Sequence, residues 1–80
     1  MLKLFYQKRC PYCKQALQYL EEWKSEYPDL KLEMIEETEQ PDLANQYDYY
    51  YVPTFYLDQV KLHEGPVEKE DVRQILEKAK

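Results

Sequence analysis

Cys10-Pro11-Tyr12-Cys13 contains the only two cysteines of the chain, three positions apart. They follow a short apolar run, Leu2-Lys3-Leu4-Phe5-Tyr6, and lead into an amphipathic helical pattern. A thiol that opens a helix faces the positive end of the helix dipole and a set of free backbone N–H groups, and both favour thiolate over thiol. Lys8 and Arg9 stand immediately before Cys10 in an otherwise acidic chain and push the same way. A second thiol one turn into the helix can attack a mixed disulfide formed at the first. The chemistry such a pair can do is disulfide exchange, with Cys10 as the expected nucleophile and Cys13 as the expected resolving thiol.

Two other uses of the pair fit less well. As a structural staple, a disulfide across so short a loop removes only roughly 2 kcal/mol of unfolded-state entropy. A structural zinc site wants four ligands, and the chain offers two cysteines and one distant histidine, His63. No metal is therefore expected from the residues themselves.

The rest of the chain must position the thiols. Its 80 residues make a single domain, 1–80, with no space for a second core. One glycine in the whole chain argues against glycine-rich phosphate loops. A net charge of −5 repels nucleic acid and anionic membranes, so neither is an expected partner. No apolar stretch approaches the length of a signal or membrane segment, which makes the cytoplasm the expected setting. Structural disulfides are rare there.

Residues 2–6 read as a strand. From 11 to about 27, Ala16, Leu17, Leu20 and Trp23 fall at helical spacing behind Pro11, which suits a first helical turn, and Pro28-Asp29 stops the pattern. Residues 30–35 alternate as a second strand, with Leu30, Leu32 and Met34 on one side and Lys31 and Glu33 on the other. An acidic loop, 36–40, precedes a short helix opened by Pro41-Asp42 and reaching about 47. Residues 54–57 and 60–63, joined by Asp58-Gln59, read as a hairpin. Gly65-Pro66 punctuates, and 67–80 carries Val72, Ile75, Leu76 and Ala79 on one helical face. The order is β-α-β-α-β-β-α. The first crossover predicts a right-handed parallel pair, and the hairpin adds antiparallel strands to the same sheet, with helices on both faces.

Cys10-Pro-Tyr-Cys13 after a first strand, with Val52-Pro53-Thr54 at the start of the third, closely resembles the glutaredoxin/thioredoxin superfamily over essentially the whole chain. The resemblance implies an α/β thioredoxin fold, a four-stranded mixed sheet with three helices. It implies a thiol–disulfide oxidoreductase whose partners are disulfide-containing proteins, acting as a monomer. It also implies that Pro53 is cis and that Val52 offers its backbone N–H and C=O to an incoming substrate strand. No bound cofactor is implied; the electron donor is glutathione, as in glutaredoxins, or a thioredoxin-type flavoprotein reductase. From another class, some glutaredoxins bridge an iron–sulfur cluster through the first cysteine. Glutathione-using relatives usually carry a basic residue three before the first cysteine, a Thr before Val-Pro and a Gly-Gly turn ahead of the last helix. Here those places hold Gln7, Tyr51 and His63-Glu64-Gly65-Pro66, and Glu64 stands where glutathione needs close backbone approach. Gly65 with Lys69 after it looks like the thioredoxin ending instead, although the Trp-Cys-Gly-Pro-Cys pattern of thioredoxins is absent.

Several further residues invite a functional and a plainer reading. Lys8 and Arg9 can attract an anionic thiol or be solvated loop charges. Tyr12 beside Cys10 reads as docking surface, and Tyr51, next to Val52, is the best binding candidate of the run Tyr47-Asp-Tyr-Tyr-Tyr51, in which Tyr47 and one of Tyr49 and Tyr50 should cap the sheet. His63 and Trp23 read as structural. Glu36, Glu37 and Glu39 read as a solvated loop.

Overall fold

The computed structural model describes every residue from Met1 to Lys80. At its centre is β1 (Leu2–Tyr6), whose alternating apolar side chains are buried on both faces of the sheet. Leu2 and Leu4 enter one core with Phe55, Ala16, Val67, Val72, Ile75 and Leu76. Phe5 points the other way and packs with Ile35, Ala44 and Tyr56. Each such side chain withdrawn from water contributes about 1.5–3 kcal/mol, so this strand anchors both halves of the domain.

Helix α1 (Pro11–Trp23) follows, with Cys10 as its N-cap and Pro11 in its first turn. The helix ends earlier than the spacing predicts. A 3-10 turn, Lys24–Glu26, takes over, and Tyr27 sits at φ −133°, ψ 57°. Pro28 is the reason, because a proline excludes its predecessor from the helical region.

Strand β2 (Leu32–Glu36) pairs parallel with β1, from Leu2 opposite Leu32 to Tyr6 opposite Glu36. It starts two residues later than expected because β1 has nothing to pair with residues 30 and 31, and it gains Glu36 because Tyr6 does. The expected apolar side is also only half right. Leu32 is half-buried and Met34 is exposed on this edge strand, while Ile35 is the fully buried residue.

A short α2 (Pro41–Ala44) lies on the Phe5 side. Beyond it the bonds from the N–H of Gln46 to Leu43 O and of Tyr47 to Ala44 O span three residues, so tight turns replace the helix expected to reach 47. Strands β3 (Thr54–Leu57) and β4 (Val60–Glu64) form the hairpin, with Asp58 in the left-handed region at φ 54°. β3 also runs antiparallel to β1, so the sheet order is β2-β1-β3-β4. Gly65 leaves β4 at φ +95°, a conformation that glycine alone adopts readily, and its N–H donates to Pro53 O at 2.8 Å. Helix α3 (Lys69–Ala79) starts two residues inside the expected span, because Glu68 and Asp71 form a capping box ahead of it. It packs with α1 on the Leu2/Leu4 face, opposite α2.

Candidate active site

Parallel pairing brings the carboxyl ends of β1 and β2 side by side, and the segments leaving them, Gln7–Cys10 and Glu37–Gln40, meet at one end of the sheet. Two backbone bonds shape the first segment: Cys10 N–H donates to Gln7 O at 3.2 Å, and Lys14 N–H to Cys10 O at 3.0 Å. Cys10 thus caps α1 in an extended conformation, at φ −81° and ψ 121°, with no side-chain bond of its own to the helix N–H groups.

The two thiols, both free, occupy different environments. Cys10 is half-buried, and its Sγ faces the backbone carbonyl of Val52 at 3.9 Å. Cys13 is fully buried, and its Sγ accepts the Gln7 N–H at 3.4 Å. Burial pushes the Cys13 thiol up to about 12; the Gln7 N–H opposes that shift, while the neighbouring Cys10 and the Glu37 carboxylate add to it. At neutral pH Cys13 is therefore held as a thiol.

Opposite the cysteines, the Val52–Pro53 peptide is cis and Pro53 is buried. Pro53 O takes the Gly65 N–H, while the Thr54 hydroxyl donates to Tyr51 O. Cys10, Cys13, Val52 and Pro53 therefore converge. The remaining candidates surround them less tightly. Tyr12 and Tyr51 are open to solvent, at 55% and 70% exposure, and both remain free to meet a partner. Tyr47 and Tyr49 pack on Phe5, with ring centroids 4.7 and 5.1 Å away, as expected for residues that cover the sheet, whereas Tyr50 is exposed. Arg9 is exposed and has no ion-pair partner. Lys8 is exposed; its ammonium pairs with Glu39 and its N–H donates to Glu36 at 3.0 Å.

The acidic loop is the main correction. Glu36 is only 6% exposed and closes the turn by accepting the Thr38 N–H and hydroxyl, both at 2.6 Å, as well as the Lys8 N–H. Those donors hold its carboxyl down at about 2, with the Thr38 hydroxyl contributing most. Glu37 accepts the Tyr49 hydroxyl at 2.7 Å and the Gln7 side-chain amide. Gln7 is therefore braced from its side chain while its backbone serves Cys13. Composition alone reads three glutamates as solvent-facing. The usable signal was topological, since in a parallel pair the residues after both strands share one end of the sheet. His63 and Trp23 are structural as expected: the His63 ring bonds Pro66 O at 2.9 Å, and Trp23 Nε1 donates to Lys69 O at 2.9 Å. No three His, Cys, Asp or Glu side chains gather into a group that could hold a metal ion. No helix is long and apolar enough to cross a membrane.

Comparison with known proteins agrees with this architecture. Fasciola hepatica thioredoxin superposes with a TM-score of 0.77 at 16% identity, over 99% of this chain and 79% of that one. Mitochondrial thioredoxin 3 of Saccharomyces cerevisiae, in its oxidised form, superposes with a TM-score of 0.74 at 21% identity, over 96% and 76%. A malarial protein gives a TM-score of 0.76 at 17% identity, over 98% and 93%. At these identities the likeness is one of fold: a four-stranded mixed sheet with three helices, the thioredoxin fold. No curated protein matches the sequence. A family model described as "Thioredoxin domain" matches residues 2–77, nearly the full length, and the chain belongs to that family.

Proposed function

We propose that the protein is a small dithiol–disulfide oxidoreductase acting on protein disulfides in the cytoplasm. The observation that carries the reading is the contrast between the two thiols: Cys10 reachable at the start of α1 and facing Val52 O, Cys13 sealed one turn behind it. In the proposed cycle the Cys10 thiolate attacks a substrate disulfide. A Cys10–substrate disulfide forms, and the displaced substrate sulfur leaves as a thiolate that takes up a proton. Cys13, after losing its proton, attacks the Cys10 sulfur, and the second substrate sulfur leaves. The substrate gains two electrons and two protons, and the protein ends with a Cys10–Cys13 disulfide.

That disulfide must be reduced by an external donor. We favour a thioredoxin-type reductase over glutathione, because the family model is that of thioredoxin and because Gln7, where glutathione-using relatives carry a basic residue, is engaged with Glu37. A glutaredoxin-like protein served by glutathione is the competing reading, resting on Cys10-Pro-Tyr-Cys13 itself.

A two-donor turnover assay separates the readings. Insulin is offered with a thioredoxin reductase, and a small mixed disulfide with glutathione and its reductase. Turnover with the first donor alone is expected. Turnover with glutathione alone transfers the protein to the glutaredoxin reading, and turnover with neither refutes the oxidoreductase proposal.

A further inference from the structure

Glu64, the last residue of β4, reaches back across the hairpin to the loop that leads into the cis-proline. Its Oε2 accepts the N–H of Tyr50 at 2.5 Å and that of Tyr51 at 3.0 Å. Its Oε1 pairs with Lys61 Nζ at 2.7 Å, and the same ammonium reaches Asp48 O at 3.4 Å. The Tyr56 hydroxyl also donates to Asp48 O, at 2.6 Å. The segment from Asp48 to Tyr51 is thus pinned at Asp48, Tyr50 and Tyr51, and both Tyr51 backbone groups are taken, its N–H by Glu64 and its C=O by Thr54. Pro53 has no N–H, and its C=O is held by Gly65. Between these two engaged neighbours, Val52 keeps a backbone N–H and C=O that have no backbone partner, and its C=O faces Cys10 Sγ.

We infer that Glu64 is a positioning residue that fixes Val52 as the single docking rung for an extended polypeptide, and so favours peptide disulfides over small reagents that need no docking. A substrate segment that adds as a strand gains main-chain hydrogen bonds only where an edge is already ordered, and an unpinned loop would have to be ordered on binding. The carboxylate is well suited to the role. Held by an ammonium and two N–H donors, it stays ionised down to about 2, so the pin holds throughout the neutral range. Freed by mutation, Tyr50 and Tyr51 would each recover backbone freedom, and their exposed rings provide no substitute anchor.

This inference rests on the oxidoreductase reading for its biological meaning, but it can be tested on Cys10 chemistry alone. In a Cys13→Ser background, Cys10 is reacted in parallel with iodoacetamide and with a peptide carrying a thionitrobenzoate disulfide, and the two rates are compared. For Glu64→Ala we expect the peptide reaction to slow about tenfold, the cost of re-ordering a residue or two. The iodoacetamide rate should stay within about twofold, because a small reagent needs no docked strand. Glu64→Gln retains an acceptor oxygen and should fall between Glu64→Ala and the parent. Unchanged peptide rates, or equal slowing with both reagents, overturn the inference. Neither result bears on the oxidoreductase reading, which is decided by turnover of the wild-type protein.

Discussion

The thiol of Cys10 and the backbone carbonyl of Val52 face each other at 3.9 Å, although 42 positions separate them in the chain. The contact joins the start of α1 to the entry of β3, and it exists because β1 pairs directly with β3, Phe5 opposite Thr54. In the proposed cycle, a sulfur attacked at Cys10 would lie beside this backbone edge. Cys10 and Val52 come from different elements, and the sheet sets the distance between them.

The division of labour between the thiols leads to the first prediction. Cys10→Ser should abolish turnover. Cys13→Ser should still form a mixed disulfide with substrate and accumulate it, detectable by mass spectrometry under non-reducing conditions. Equal residual activity in the two variants would contradict the assigned roles.

The pH dependence follows from Cys13. Its ordinary thiol value of 9.0 is raised to about 12 by burial, so the folded protein keeps the proton over a range in which the unfolded chain has lost it. The stability linked to this group is fully present below pH 9 and is lost as pH rises towards about 12. The reduced wild type should therefore lose thermal stability in that alkaline window more steeply than Cys13→Ser, which has no thiol to ionise there. Parallel melting curves for the two proteins across that window would refute the assignment.

Glu37 acts on the same thiol with a known sign. Its negative charge raises the Cys13 value, so Glu37→Gln should lower it and increase the thiolate fraction at neutral pH. Alkylation of Cys13 in a Cys10→Ser background should then quicken by about two- to threefold, as a charge removed near a partly solvated group allows.

Gly65 offers a test of the backbone without a change in packing. A Cβ placed there meets nothing within 4 Å, so the cost of Gly65→Ala is the conformation at φ +95° alone. We expect a loss of about 1–3 kcal/mol in urea unfolding. Because the Gly65 N–H holds Pro53 O, disulfide exchange should also slow more than the stability loss explains.

Phe5 tests the second core. It is fully buried, and the Tyr47, Tyr49 and Tyr56 rings lie within 5.8 Å of it. Phe5→Ala should cost about 3–5 kcal/mol, a large share of what a domain of this size has. Denaturant midpoints measure it directly.

Local patterning was enough to read the elements, their order and a cysteine pair one helical turn apart, and the family resemblance added the proline opposite them. These are local matters: Leu2–Tyr6 is apolar enough to be a central strand, Pro11 starts a helix, Asp58-Gln59 turns a hairpin, and Cys10 and Cys13 fall one turn apart whatever surrounds them. Where element ends depended on a partner strand, local patterning missed them. Residues 30 and 31 read as strand, yet β1 has no partner for them, and Glu36 read as loop, yet Tyr6 pairs with it. What the charged residues do depends on contacts that the fold brings together. Glu36, Glu37 and Glu64 look alike as glutamates, and one is buried as a turn-closing acceptor, one braces Gln7 beneath Cys13, and one pins the loop before Val52. A carboxylate's role is set by the donors that surround it. Those donors arrive from distant parts of the chain, through sheet pairings that no short stretch of sequence contains.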